Sequence, residues 1–96
     1  MRPGQMLRIT VATEGSWTRI ALEGRLVGAW VEQLQACWLR ERATREPGAL
    51  RIDLVDVAFI DDAGKRLLSS FYEQGAQLTA TNLLARATLE EIVRGG

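Results

Sequence analysis

The sequence predicts a single α/β domain in which helices pack on one face of a four-stranded mixed sheet, with the element order β-β-α-β-α-β-α. Three observations predict it: two N-terminal segments of alternating polarity, a helical repeat of apolar residues after them, and two further strand–helix units. Strands joined through helices pair as parallel neighbours and a hairpin adds an antiparallel edge, so the sheet should be mixed. The 96 residues suffice for one such core but not for two, and we assign 1–96 to one domain with its core at about 7–93.

The first two strands are predicted from residues that alternate in polarity. Five apolar residues lie at every second position and share one face of these strands: Leu7, Ile9, Val11, Ile20 and Leu22. The intervening Glu14-Gly15-Ser16 is typical of a tight turn, so this region is expected to form a β-hairpin with one half-buried face.

The period changes from Val27 onward, where apolar residues recur at spacings of three and four as far as Trp38. This pattern predicts an amphipathic helix to about Arg45, ended by Pro47-Gly48. Trp30 and Trp38 lie about two turns apart and share a face of that helix. If either ring is exposed, the helix becomes a surface for a homodimer or another partner, because large apolar patches seldom stay uncovered.

The second half of the chain is predicted to contain two more strand–helix units. The first unit is a strand at 50–54, a mixed apolar run at 55–60, and a helix that starts after Asp61 and ends at a glycine cap, Gly75. The second unit consists of a short strand and a last helix, at 77–81 and 84–93.

Composition excludes several classes of function. Twelve Lys and Arg balance twelve Asp and Glu, and no segment approaches the roughly 20 apolar residues of a membrane span, so neither nucleic acid binding nor direct membrane insertion is expected. The chain has no histidine, and its one cysteine, Cys37, lies on the apolar face of the first helix as a core residue would. Zinc sites of Cys and His and imidazole chemistry are therefore excluded, and no cofactor is expected. Residues 1–5 are not followed by the apolar segment of a signal peptide, which favours a cytoplasmic protein.

The segment from Asp53 to Gly64 is the predicted partner-binding region, because ligands and partners of α/β sheets usually meet the connection from a strand to the next helix. Asp61 and Asp62 stand where the second helix begins, and either can cap its free N–H groups. Lys65 and Arg66 follow Asp62 at helical spacings that allow exposed ion pairs with it.

A resemblance to the STAS family lies in residues 50–64, whose sequence is LRIDLVDVAFIDDAG, with Leu67 and Leu68 after them. In that family a strand ending in Asp-Leu leads through a short apolar run to Asp-Ser-Ser-Gly or Asp-Thr-Ala-Gly at a helix start. Residues 22–26, LEGRL, resemble the family's Gly-x-Leu at the end of the second strand. The predicted order of elements agrees with the family's from about 7 to 92.

The resemblance assigns a position in the motif to each residue of the segment. Asp61 matches the family's leading Asp, and Asp62 falls on the hydroxyl residue that partner kinases phosphorylate. Ala63 and Gly64 match the end of the motif, and Asp53 matches the acid that closes the third strand.

Two departures from the family pattern bear on function. Asp62 has no hydroxyl, and its carboxylate offers about one negative charge where phosphoserine carries roughly 1.5 to 2, so it imitates the phosphorylated state only in part. Lys65 and Arg66 replace the small or apolar residues usual after the glycine, which makes the expected partner surface charged.

The resemblance implies a non-catalytic, protein-binding regulatory module, similar to the bacterial anti-sigma-factor antagonists that regulate transcription through an anti-sigma factor or switch kinase. An alternative is an accessory subunit of an ABC-type lipid transport system that binds its ATPase, which the Asp-x-Ala-Gly form of the motif favours. A third interpretation uses four carboxylates as a Mg²⁺ site: Asp53, Asp56, Asp61 and Asp62.

Overall fold

A computed structural model describes residues 6–95, and the predicted order of elements is confirmed. The strands are β1 (Leu7–Glu14), β2 (Trp17–Leu26), β3 (Leu50–Ile60) and β4 (Gln77–Ala80), and the helices are α1 (Ala29–Arg42), α2 (Asp62–Gln74) and α3 (Leu83–Val93). Residues 1–5, on which the expectation about a signal peptide rests, and residue 96 lie outside the described part of the predicted domain.

The four strands form one mixed sheet in the order β1-β2-β3-β4. β1 is antiparallel to β2 in an uninterrupted register from Leu7 opposite Gly24 to Glu14 opposite Trp17. Gly15 supplies the positive φ, 64°, that the two-residue hairpin turn requires. β3 pairs in parallel with both β2 and β4, so the predicted hairpin edge and parallel neighbours are confirmed.

The hydrophobic core lies on one face of this sheet. Along β2, buried residues alternate with half-buried ones, and Ile20 and Leu22 are fully buried. The helices cover this face, where Trp38 of α1 stacks on Phe71 of α2 with ring centroids 4.1 Å apart. Trp30 is half-buried against the same core, so neither tryptophan provides the exposed surface on which a dimer through α1 depends.

The predicted face of β1 is confirmed, but its burial decreases toward the turn. Leu7 is buried and Ile9 is half-buried, as expected, but Val11 is 40% exposed. Val11 does belong to the core-side face, because it lies opposite the buried Ile20. It stays accessible because β1 is an edge strand of the sheet.

The third strand is longer than predicted. β3 continues to Ile60, whereas the sequence indicated a strand that ends at Leu54 before an apolar run. Its pairing with β2 skips Val55 and Ala58, and these two bulges break the alternation from which strands are recognised. The segment 53–64 is therefore mostly strand, and the connection to α2 is Asp61 alone.

The ends of the helices follow local chemistry. α1 ends at Arg42, slightly before the predicted Arg45, and Pro47–Ala49 forms a short 3-10 turn ahead of β3. Gly75 caps α2 with a φ of 110°, as predicted. No helix within residues 6–95 is long and apolar enough to cross a membrane.

Candidate partner-binding site

Asp61 caps α2 and joins it to the beginning of α1. Its Oδ1 accepts a hydrogen bond from the backbone N–H of Gly64 at 2.7 Å, which is the N-cap geometry. Its Oδ2 accepts a second bond, at 2.9 Å, from the backbone N–H of Gly28, which is the N-cap residue of α1. Both carboxylate oxygens are therefore engaged by backbone groups, and Asp61 is the acid that caps the helix.

Gly64 lets α2 approach the end of the sheet closely. A Cβ atom at this position would come within 2.9 Å of both Cγ and the carbonyl oxygen of Leu26, and within 3.1 Å of Cγ2 of Ile60. The same Leu26 carbonyl accepts the N–H of Asp61 at 3.1 Å. Ala63 beside them is half-buried against the core, so small residues here serve packing.

Leu26 and Gly28 also belong to the candidate site, and the sequence predicted their part in it incompletely. The resemblance in residues 22–26 pointed to the end of β2, but not to its contacts with the start of α2. Those contacts make the ends of β2 and β3 and the starts of α1 and α2 one hydrogen-bonded unit. The available sign in the sequence was the glycine two residues after the end of β2. Glycine is common where the backbone needs a positive φ, and the φ of Gly28 is 53°.

Asp62 is the first residue of α2, and its side chain is exposed. Among residues 6–95 it has no hydrogen-bond or ion-pair partner. A carboxylate at this place interacts favourably with the N-terminal end of the helix dipole. Of the two adjacent acids, Asp61 is half-buried and bound by two backbone N–H groups, whereas Asp62 has an exposed carboxylate.

The two basic residues after the glycine have different surroundings. Lys65 donates to Glu91 of α3 at 3.1 Å and so connects two helices, instead of forming the expected pair with Asp62. Arg66 is exposed, and no ion pair involves it in the described part of the chain. Arg66 therefore adds a positive charge to the surface one turn beyond Asp62.

Asp53 lies away from this site, in the first half of β3. Its Oδ2 accepts a hydrogen bond from Nε of Arg19 at 2.9 Å, and its Oδ1 accepts one from Thr79 at 3.1 Å. These contacts cross three strands on the face of the sheet opposite the core. Because β3 extends to Ile60, Asp53 lies seven residues before the end of the strand. The Asp53 side chain therefore does not converge with that of Asp61.

The structure does not assemble the acids that the third interpretation combined. Within residues 6–95 no group of three or more Asp, Glu, His or Cys side chains is close enough to hold a metal ion. Asp53 is paired with Arg19 and Asp61 is bound by two backbone N–H groups. These engagements leave the two carboxylates no common centre.

Cys37 is a core residue, as its position on α1 indicated. It is 2% exposed, and burial raises the pKa of its thiol, an effect that the nearby Arg40 opposes. A protonated, buried thiol is a poor nucleophile, so Cys37 contributes packing.

Comparison with known proteins identifies the fold. The sequence matches no protein-family model and no curated protein. Among solved structures, an anti-sigma factor antagonist from Mycobacterium paratuberculosis superposes with a TM-score of 0.80 at 20% identity, over 99% of this chain and 83% of that one. The STAS domain of an antisigma-factor antagonist from Rhodobacter sphaeroides gives 0.54 at 20% identity, over 82% of this chain and 89% of the other. With the same order of elements and nearly complete coverage, this chain has the STAS fold.

Proposed function

We propose that the protein is a non-catalytic, protein-binding regulatory module of the anti-sigma-factor-antagonist type, acting in the bacterial cytoplasm. Its partner is a kinase-type anti-sigma factor, and Asp62 occupies the position at which such a partner would phosphorylate a hydroxyl residue. The partner surface is an outward stripe of α2 with helical spacing, which we call the α2 stripe: Asp62, Arg66, Ser69 and Glu73.

One observation carries this proposal. Asp62 is the exposed first residue of α2 in a fold that matches an anti-sigma factor antagonist over 99% of the chain. Asp61, Ala63 and Gly64 support the site from within, since their side chains or backbone hold α2 against the sheet. Asp62 and Arg66 are left as the charges that a partner would meet at the start of the α2 stripe.

The charge of Asp62 determines the expected state of the module. A kinase-type partner loaded with ATP presents the γ-phosphate where the acceptor side chain docks. A carboxylate at that place is repelled by the phosphate, and like charges in contact disfavour a complex. The protein would therefore bind the nucleotide-free partner more tightly than the ATP-loaded one, which makes Asp62 a permanent, partial substitute for a phosphorylated residue.

The test begins with affinity capture on the immobilised protein. A kinase-fold regulator among the captured proteins supports the proposal, and an ABC-transporter ATPase would instead support the lipid-transport function. The dissociation constant is then measured by calorimetry with ATP-loaded partner for the wild type, Asp62→Asn and Asp62→Ser. Both variants should bind about tenfold more tightly or better, which corresponds to about 1.4 kcal/mol of removed repulsion.

Two further measurements sharpen this test. Asp62→Ser, but not Asp62→Asn, should incorporate phosphate from ATP in the presence of the partner. Glu46→Gln is the matched control, because Glu46 is an exposed acid near the opposite end of β3. The dissociation constant of this variant should equal that of the wild type. Equal affinities for all variants would place the interface elsewhere and contradict the role of Asp62.

A further inference from the structure

The two edges of the sheet differ in length and protection. β4 has four residues, whereas β1 has eight, in a register with β2 that contains no bulge. β1 contains neither proline nor lysine, the residues that commonly block a strand edge. No strand in residues 6–95 pairs with its outer side, since β1 is first in the strand order. Such an edge can accept another extended strand.

The register with β2 shows which backbone groups face outward. Arg25 donates its N–H to the carbonyl of Met6, which makes these opposite residues a hydrogen-bonded pair. Hydrogen-bonded pairs alternate along an antiparallel ladder, so even-numbered residues of β1 turn their backbone groups toward β2. The N–H and C=O groups of Ile9, Val11 and Thr13 therefore point to the free edge.

We propose that this edge pairs with β1 of a second copy of the chain, antiparallel and centred on Val11. Val11 then faces Val11 of the second copy, Ile9 faces Thr13, and Arg8 faces Glu14. Two-fold symmetry, as in most homodimers, makes the Ile9–Thr13 and Arg8–Glu14 contacts occur twice, with the Val11 pair on the axis. The result is a continuous sheet of two four-stranded halves, in which both apolar faces lie on the same side.

Charge complementarity selects this partner and this register. Arg8 and Glu14 are the two charged residues of β1, both are exposed, and both lie on the face opposite the core. Centring the pairing on Val11 brings each Arg8 against a Glu14. Pairing by odd-numbered residues also permits centres at Thr10 or Ala12, but neither of these brings opposite charges together. The strand is therefore self-complementary in one register, and charged pairs across strands specify register more than affinity.

The core-side face of β1 gives independent support. Val11 is 40% exposed although it lies on that face, because the edge has no further strand beyond it. In the proposed dimer two Val11 side chains meet across the symmetry axis beside Ile9 and Thr13. The apolar surface left uncovered in one copy is thus covered by the same surface of the other.

The first test measures mass against concentration, by light scattering after size exclusion and by sedimentation, from micromolar to near-millimolar protein. The wild type should shift from monomer to dimer. Val11→Pro should remain monomeric with an unchanged circular dichroism spectrum, because the lost N–H points outward and proline is tolerated on edge strands. A wild type that is monomeric throughout, or a dimer that Val11→Pro leaves intact, would overturn the proposal.

A charge exchange tests the register without depending on the proline. Arg8→Glu and Glu14→Arg each place like charges opposite one another, so each alone should dimerise at least several-fold more weakly. An equal mixture of the two variants pairs opposite charges again and should form a heterodimer, and the double exchange in one chain should restore the homodimer. A mixture no tighter than its separate components would overturn the register.

Cysteine crosslinking gives the sharpest readout. Val11→Cys should form a disulfide-linked dimer under mild oxidation, since facing residues of a hydrogen-bonded pair have Cα atoms about 5.5 Å apart, within disulfide range. Thr13→Cys is the matched control and should stay unlinked, because it faces Ile9 of the other copy. Both variants carry Cys37→Ala, which removes the one native thiol, itself buried. Crosslinking of Thr13→Cys as efficient as that of Val11→Cys would overturn the proposed pairing.

Discussion

The first turn of α2 has an inner and an outer side, and the two differ in what their residues contact. On the inner side, Asp61 accepts hydrogen bonds from two backbone N–H groups, and Gly64 leaves no room for a Cβ beside Leu26 and Ile60. On the outer side, Asp62 and Arg66 are exposed. The difference separates two tasks that the motif combines: the inner residues determine the position of the helix, and the outer ones are available for recognition. Substitutions on the inner side should therefore change stability, and those on the outer side should change binding.

The largest effect is expected for Gly64→Ala. The added methyl group would lie 2.9 Å from the Leu26 carbonyl oxygen, a backbone atom that cannot move without displacing the end of β2. Overpacking of this kind costs about 3 kcal/mol, the upper end of the usual range. For a domain of this size that loss lowers the melting temperature by about 12–24 °C.

Gly48→Ala is the control for that measurement. A Cβ atom at residue 48 would have no other atom within 4 Å. Replacement of this glycine should leave the melting temperature unchanged or raise it slightly, because alanine reduces the freedom of the unfolded chain. Equal losses for both variants would mean that close packing at Gly64 is not what holds α2.

The second effect is expected for Asp61→Ala, which removes the cap of α2 and leaves the Gly28 N–H without its partner. The loss should be about 2 kcal/mol in urea unfolding, from the cap and the second hydrogen bond together. Asp61→Asn should lose about half of that, because its amide group keeps one acceptor oxygen. If Asp61→Ala costs no more than Asp62→Asn, the bridge between the two helix starts is not a stabilising contact.

These two residues also show how far the sequence predicts the site. Asp61 and Asp62 are adjacent acids at a helix start, and capping propensity does not distinguish them. A tertiary contact distinguishes the two acids: the N–H of Gly28, 33 residues earlier in the chain, donates a hydrogen bond to Asp61 and not to Asp62. Local patterns therefore predicted that a cap exists, whereas its identity and its second task depend on tertiary contacts.

The fold was predicted more completely, for a physical reason. The order of elements follows from hydrophobic periodicity, which is strong in β2 and α2 because one face of each is buried. The predicted end of β3 was wrong because the bulges at Val55 and Ala58 interrupt that periodicity. The exposure of Val11 was not predicted, because periodicity indicates a face and not how far neighbouring elements extend over it.

A smaller effect is expected for Asp53→Asn, in the region that the sequence grouped with the site. The ion pair with Arg19 joins side chains that are 37% and 18% exposed, so its loss should cost about 1 kcal/mol or less. Asp56→Asn, an exposed acid of the same strand, should cost less still. Both variants should bind the partner as the wild type does. A weakened complex with Asp53→Asn alone would extend the partner surface onto the open face of the sheet.

The smallest effect on stability is expected where the effect on binding is largest. Asp62→Asn loses only a favourable charge at the helix N-terminus, about 0.5 kcal/mol in urea unfolding. The same change should shift the dissociation constant for an ATP-loaded kinase-type partner by about tenfold. Asp61→Asn should therefore change stability more than binding, and Asp62→Asn should change binding more than stability. The two residues are adjacent and the chemical change is identical. If Asp62→Asn also unfolds the domain as readily as Asp61→Ala does, both acids belong to the inner side and the outer surface does not begin at Asp62.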